Sequence, residues 1–252
     1  MQQPELLALF AIILTLTAVA GGYLPMTRGH SFRAHPMAER GEAGAVGVFL
    51  GAGLIHMLSD AVDGFSAAGV DAMWPHTIAG ATVLALVAVE HAAQRLRRSV
   101  DDLGHPSIAL LAAAMLSIHT FLAGAALGTR QEISVAVVVF IALLGHKFAA
   151  AFALGVTLGR SALALTARWA AFALFVVMLP VGILSGALAA GTKGVSPLLA
   201  PFLTALAAGT FIHLALLHDL QDGMMVKRCR DRGNFAIAVA GFLLMALIAL
   251  WV

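Results

Sequence analysis

Residues 106–129 read PSIALLAAAMLSIHTFLAGAALGT, and residues 132–159 read EISVAVVVFIALLGHKFAAAFALGVTLG. About 20 consecutive apolar residues cross a bilayer as a helix, so each run predicts a transmembrane helix. Each carries one histidine near its middle, His119 and His146, and each histidine opens the pattern His-x-Phe-x-Ala-x-x-Ala-Leu-Gly. Consecutive antiparallel helices that share a motif read as a small inverted repeat around a midplane site. Ala-Leu-Gly also occurs by chance in membrane helices; the matched histidines are harder to ascribe to chance.

Working outward, the remaining chain repeats this character. Hydrophobic residues make up 61% of the 252 and charged residues 11%, where a soluble domain has roughly a quarter charged residues. The fold class is therefore all-α, a polytopic membrane protein forming one transmembrane domain over residues 1–252. Eight apolar runs are expected to span: 5–25, 43–64, 75–94, 106–129, 132–159, 166–190, 197–221 and 234–252. No Lys or Arg precedes the first run, so it reads as a retained helix and not as a signal peptide. The single cysteine, Cys229, excludes an internal disulfide and a multi-cysteine metal site.

Loop charges set the expected orientation. Arg28, Arg33, Arg40, Arg95, Arg97, Arg98, Arg160, Arg168, Lys227, Arg228, Arg230 and Arg232 all fall on one side of an eight-span chain. The other side holds Arg130 and Lys193, and Lys147 lies inside a span. The positive-inside rule puts the larger group in the cytoplasm and both termini outside. The basic residues are scattered over short loops, so nucleic acid is not an expected partner.

This orientation arranges the polar residues as a ladder. His56 and Asp60, four apart on one helix face, lie toward the outside. His119 and His146 lie at mid-membrane, and His213, His218 and Asp219 lie toward the cytoplasm. Intramembrane ionisable residues are costly and mark pathways or sites. Imidazole suits divalent transition metals, and a scarcity of carboxylates disfavours Mg²⁺ and Ca²⁺. The structural alternatives are a hydrogen-bonded histidine between helices for His119 and His146, hydration at the outer interface for His56 and Asp60, core packing for His213, and a membrane-edge position for His218 and Asp219. Lys147 is either an internal cation with a functional role or a structural residue, snorkelling or paired with a carboxylate such as Asp60. Met57, Met115 and Met178 read as core filler. Asp63, Asp71 and His76 read as solvated, and Glu90 as exposed near the cytoplasmic end of its helix. No nucleotide-binding or hydrolase motif is present, and the chain reads as not an enzyme.

Several stretches resemble the ZIP (Zrt/Irt-like) family of divalent metal transporters. Gly47-Val-Phe-Leu-Gly-Ala-Gly-Leu-Ile-His56-Met-Leu-Ser-Asp60-Ala is similar to the family's Val-Phe-Leu…His-Leu-Leu-Pro-Asp-Ala. Ser117-Ile-His119 with Ala126-Leu127-Gly128 resembles the fourth-helix motif, and Gly145-His146-Lys147 resembles a His-Lys variant of the fifth. Leu179-Pro180-Val-Gly182-Ile and Ala208-Gly209-Thr210-Phe211 resemble motifs of the sixth and seventh helices. The chain departs from the pattern where the family's glutamates stand: Ala123, Ala150 and Leu179 occupy these places, and His218 with Asp219 replaces the seventh-helix position. His91 and His105 are isolated where the family has a loop histidine cluster. The binuclear site of other members is thereby excluded, and Lys147 takes its second metal position.

The resemblance implies a zinc transporter moving Zn²⁺, or another divalent transition metal, into the cytoplasm through a histidine-lined midmembrane site. The metal ligands it implies are His119, His146, His56, Asp60, His213, His218 and Asp219. Zn²⁺ is cargo, membrane lipid and a second copy in a homodimer are the expected partners, and a bacterial inner (cell) membrane is the expected location. A non-transporting sensor or structural relative, and a membrane metalloenzyme, are the competing readings.

Overall fold

The computed structural model describes residues 3–32, 36–96, 106–191, 196–216 and 231–251. Among these, eight helical segments are long and apolar enough to cross a membrane. They comprise α1 (Gln3–Phe32), α2 (Pro36–Gly51), α3 (Leu58–Ala67), α4 (Met73–Leu96), α5 (Pro106–Gly128), α6 (Ile133–Arg160), α7 (Leu165–Ala190), α8 (Leu199–Leu216) and α9 (Arg232–Trp251). The second span is α2 and α3 joined by a π-helical turn, Ala52–Met57. It runs from Pro36 to Ala67, longer at both ends than the expected 43–64. Proline is favoured at the start of a helix, where its missing N–H has no partner to lose, and Pro36 and Pro106 both open helices. Asp71 caps the next helix by accepting from the Met73 N–H at 2.7 Å, and Asp231 accepts from the Gly233 N–H at 3.0 Å. Gly69, at φ 73, supplies the left-handed residue that ends α3.

The helices group into two bundles. Helices α1, α5, α6 and α7 pack mainly on one another, as do α2, α3, α4, α8 and α9. Glycines explain how tightly. A β-carbon at Gly124 would lie 2.6 Å from the Leu179 carbonyl oxygen, and Gly128, Gly182 and Gly186 are closed off in the same way by backbone of the facing helix. Gly21 on α1 would meet the Phe148 carbonyl of α6 at 2.6 Å, and Gly47 on α2 faces the Ala238 backbone of α9. Without a hydrophobic drive between helices in lipid, such small-residue contacts are what hold them together. Between the bundles the glycines meet side chains instead: Gly41 faces the Phe152 ring, and Gly145 faces Ile248 and Met245. The closest backbone-on-backbone approaches thus lie within a bundle, while these two seam glycines face side chains.

Candidate functional site

The seam is where the polar residues gather. His119 on α5 and His146 on α6 are each 2% exposed. Their ring centroids lie 5.9 Å apart with planes at 70°. Phe211 of α8, in the other bundle, closes one side of the space: its ring stacks on His119 at 3.5 Å and meets His146 edge-on at 4.9 Å. Phe49 of α2 stacks behind Phe211 at 4.7 Å. The two imidazoles therefore meet each other and Phe211 inside the protein and do not face lipid.

The tautomer of His119 follows from its partners. Nδ1 lies 2.7 Å from Thr210 Oγ1 and 3.1 Å from the Ala207 carbonyl oxygen. The Thr210 hydroxyl donates to that same carbonyl at 2.6 Å. A carbonyl only accepts, and the hydroxyl has spent its one proton on it, so Nδ1 must be the donor. A neutral ring with its proton on Nδ1 carries its lone pair on Nε2, which is buried without a hydrogen-bond partner. Outer partners fix metal-binding histidines in this way. His146 has the Ala142 carbonyl one turn back beside it, and neither ring nitrogen makes a hydrogen bond among the described residues.

The second residues of the two motif copies also meet. Lys147, 3% exposed, donates from Nζ to Thr120 Oγ1 at 3.0 Å, and its ammonium sits 4.0 Å from the Phe175 ring centroid. The hydroxyl and the aromatic face take up the charge. This corrects two structural alternatives from the sequence: Lys147 does not reach Asp60, and it is buried where a snorkelling side chain would extend toward water. The repeat thus sets histidine against histidine and Thr120 against Lys147.

To one side of the histidine pair, His56 sits on the π-helical turn and Asp60 one turn further on. His56 Nδ1 is 3.7 Å from Asp60 Oδ2, with the side chains 5% and 28% exposed. The pair runs from a buried ring to a part-exposed carboxylate. His56 lies within electrostatic reach of His146, and Arg130 of the α5–α6 connection within reach of Asp60. A π turn rotates the side chains that follow it and recurs at functional sites; here Gly53 lets it press against α8, where a β-carbon would lie 3.2 Å from the Ala208 carbonyl.

To the other side, His213 lies on α8, three residues or roughly 4.5 Å beyond Thr210. It is fully buried, and its Nε2 is 3.3 Å from Glu90 Oε2. The expectation for Glu90 fails here, since it is 5% exposed. The signal was its register: Pro75, Ala79 and Glu90 are buried on the α4 stripe that faces α8, with half-buried Leu86 between. Met57 and Met115 are core residues, and Asp63, Asp71 and His76 are exposed, as expected. His218 and Asp219 lie outside the described residues.

The structure therefore brings His119 and His146 together and strings His56–Asp60 and His213–Glu90 to either side. Among the described residues, no three His, Cys, Asp or Glu side chains converge as a ready metal cage. Buried Ala123 and Ala150 stand on the turn after each histidine, so water or cargo ligands must complete any coordination shell of four.

A family model described as ZIP zinc transporter matches residues 88–249. Zinc transporter ZIP2 of Mus musculus is 33% identical over 150 residues, covering 58% of this chain and 48% of that protein. Zinc transporter ZIP2 of Homo sapiens is 31% identical over 150 residues, again 58% and 48%. Protein zntD of Dictyostelium discoideum is 29% identical over 148 residues, 54% of this chain and 20% of that protein. The chain spans about half the length of the ZIP2 relatives it matches.

Proposed function

The chain belongs to the ZIP zinc transporter family, and from that premise we propose that it carries a divalent transition metal, zinc foremost, across a cell membrane. One observation carries this reading: two buried imidazoles on separate helices face each other across 5.9 Å, one with its tautomer set so that a lone pair is free. Neutral imidazole is a good zinc ligand, and the site's poverty in carboxylates argues against Mg²⁺ and Ca²⁺.

The metal enters past Asp60 and His56, rests between His119 and His146, and leaves past His213 and Glu90 toward His218 and Asp219. The donors are divided between the bundles. His119 and His146 belong to one, while His56, Asp60, His213 and Glu90 belong to the other. Movement of one bundle against the other along the side-chain seam then hands the ion from one set to the next, which is alternating access around a midplane site. The inward direction is taken from the family resemblance alone; the loop charges set only which face is cytoplasmic. Lys147 occupies the place where a second ion would otherwise bind, so one ion moves at a time. Chemistry at the metal is not part of this reading: among the described residues no carboxylate joins His119 and His146 as a general base.

A second reading, a metal sensor on the same scaffold, draws on Ala123 and Ala150 standing where ligands would strengthen the site. Zinc uptake into proteoliposomes separates the two. The transporter reading expects flux in the wild type and its loss in His119→Ala and His146→Ala. Equal flux in both variants would remove the site assignment; zinc binding without flux in the wild type would select the sensor.

A further inference from the structure

Glu42 and Arg160 are 118 residues apart in sequence and are bonded, with Arg160 Nη1 donating to Glu42 Oε1 at 2.5 Å. Glu42 lies on α2 of one bundle and is 3% exposed; Arg160 ends α6 of the other. This ion pair therefore crosses the seam. An apolar seal lies beside it: Ala38 of α2 and Val156 of α6 are buried together, with Leu24 and Phe152 packed on them, and the Phe152 ring fills the notch at Gly41. The opposite end of the same span differs. There α3 packs on α4 and α8 of its own bundle, and Asp60 is 28% exposed. The second span is thus fastened to α6 at the end bearing Arg160 and open at the end bearing Asp60.

We propose that the Glu42–Arg160 pair is a latch that holds the path shut at the face bearing most of the loop cations, and that it parts each time cargo leaves there. A largely buried pair is held by Coulomb attraction in a setting with little water, and removing one charge takes that attraction from the other. Opening the seam admits water to both groups, and hydration offsets the lost bond. The pair is therefore a two-state element and not a permanent rivet. The inference rests on the two-bundle transport reading above.

Spin labels test it without relying on flux. Arg40→Cys and Ala162→Cys, both at exposed positions on that face, are labelled in a Cys229→Ser background, and the interlabel distance is measured by pulsed electron resonance in proteoliposomes. Glu42→Gln and Arg160→Gln each raise the population at longer distance by on the order of tenfold. The charge-exchanged double variant, Glu42→Arg with Arg160→Glu, and the charge-keeping Arg160→Lys both restore the short distance. Unchanged distances in both neutral variants, or a double variant as open as the singles, would overturn the latch. Zinc flux is read in parallel: a wild type that moves no zinc but shows the distance response would defeat the transport reading and leave the latch standing.

Discussion

Thr210→Val isolates the positioning of His119. Valine keeps the branched shape of threonine and lacks its hydroxyl, so two contacts disappear: the 2.7 Å bond to His119 Nδ1 and the 2.6 Å bond to the Ala207 carbonyl. Hydrogen bonds inside membrane bundles average about 0.6 kcal/mol, so the expected cost in stability is about 1 kcal/mol. The effect on metal binding is larger in proportion. Losing the partner that orients a metal-binding histidine lowers affinity by about 10–100-fold. The Ala207 carbonyl, 3.1 Å from Nδ1, survives and still holds the proton there, which argues for the lower end. Zinc affinity is expected to fall about tenfold, equivalent to about 1.4 kcal/mol. Isothermal titration of the purified protein reads the change, and Thr210→Ser, which returns the hydroxyl, should recover most of it. A folded Thr210→Val protein that binds zinc as tightly as the wild type would refute the claim that the Thr210 hydroxyl positions His119.

Other expectations follow from the same geometry. Gly128→Ala drives a methyl group into the Ile183 carbonyl of the facing helix and should cost about 1–3 kcal/mol in detergent melts. Gly145→Ala meets only the flexible ends of Ile248 and Met245 and should cost clearly less; equal losses would contradict the contrast between bundle interiors and seam. Lys147→Met removes a buried charge in favour of a side chain of similar length, so melting temperature should hold or rise while zinc binds more tightly; weaker binding would show that the ammonium supports the site. Glu90→Gln removes the carboxylate charge 3.3 Å from His213 Nε2 and should slow zinc release, lowering maximal flux more than it shifts half-saturation. The opposite pattern would place Glu90 in capture and not in exit.

The eight spans were legible because lipid imposes one demand: every backbone polar group must be satisfied within the helix, which apolar length alone reveals. The histidine pair was legible because a repeated motif put two costly residues at equal depth. Glu90 was misread because its neighbours His91 and Arg95 suggested a wet helix end; the stripe through Pro75, Ala79 and Leu86 pointed the other way. The Glu42–Arg160 bond joins positions 118 residues apart, and Arg160 in the sequence looked like one loop cation among many. Thr210 carried a motif resemblance but no hint that its hydroxyl fixes a ring on α5. The π turn at His56 depends on how closely Gly53 presses on α8, a property of packing that no local pattern encodes.

Anomalous diffraction at the zinc absorption edge, on crystals soaked with Zn²⁺, tests the central claim most directly. The account predicts a peak between the two imidazoles, about 2.0–2.1 Å from His119 Nε2 and from one ring nitrogen of His146. Peaks confined to Asp60 or other surface groups, with nothing between the two imidazoles at saturating zinc, would contradict it.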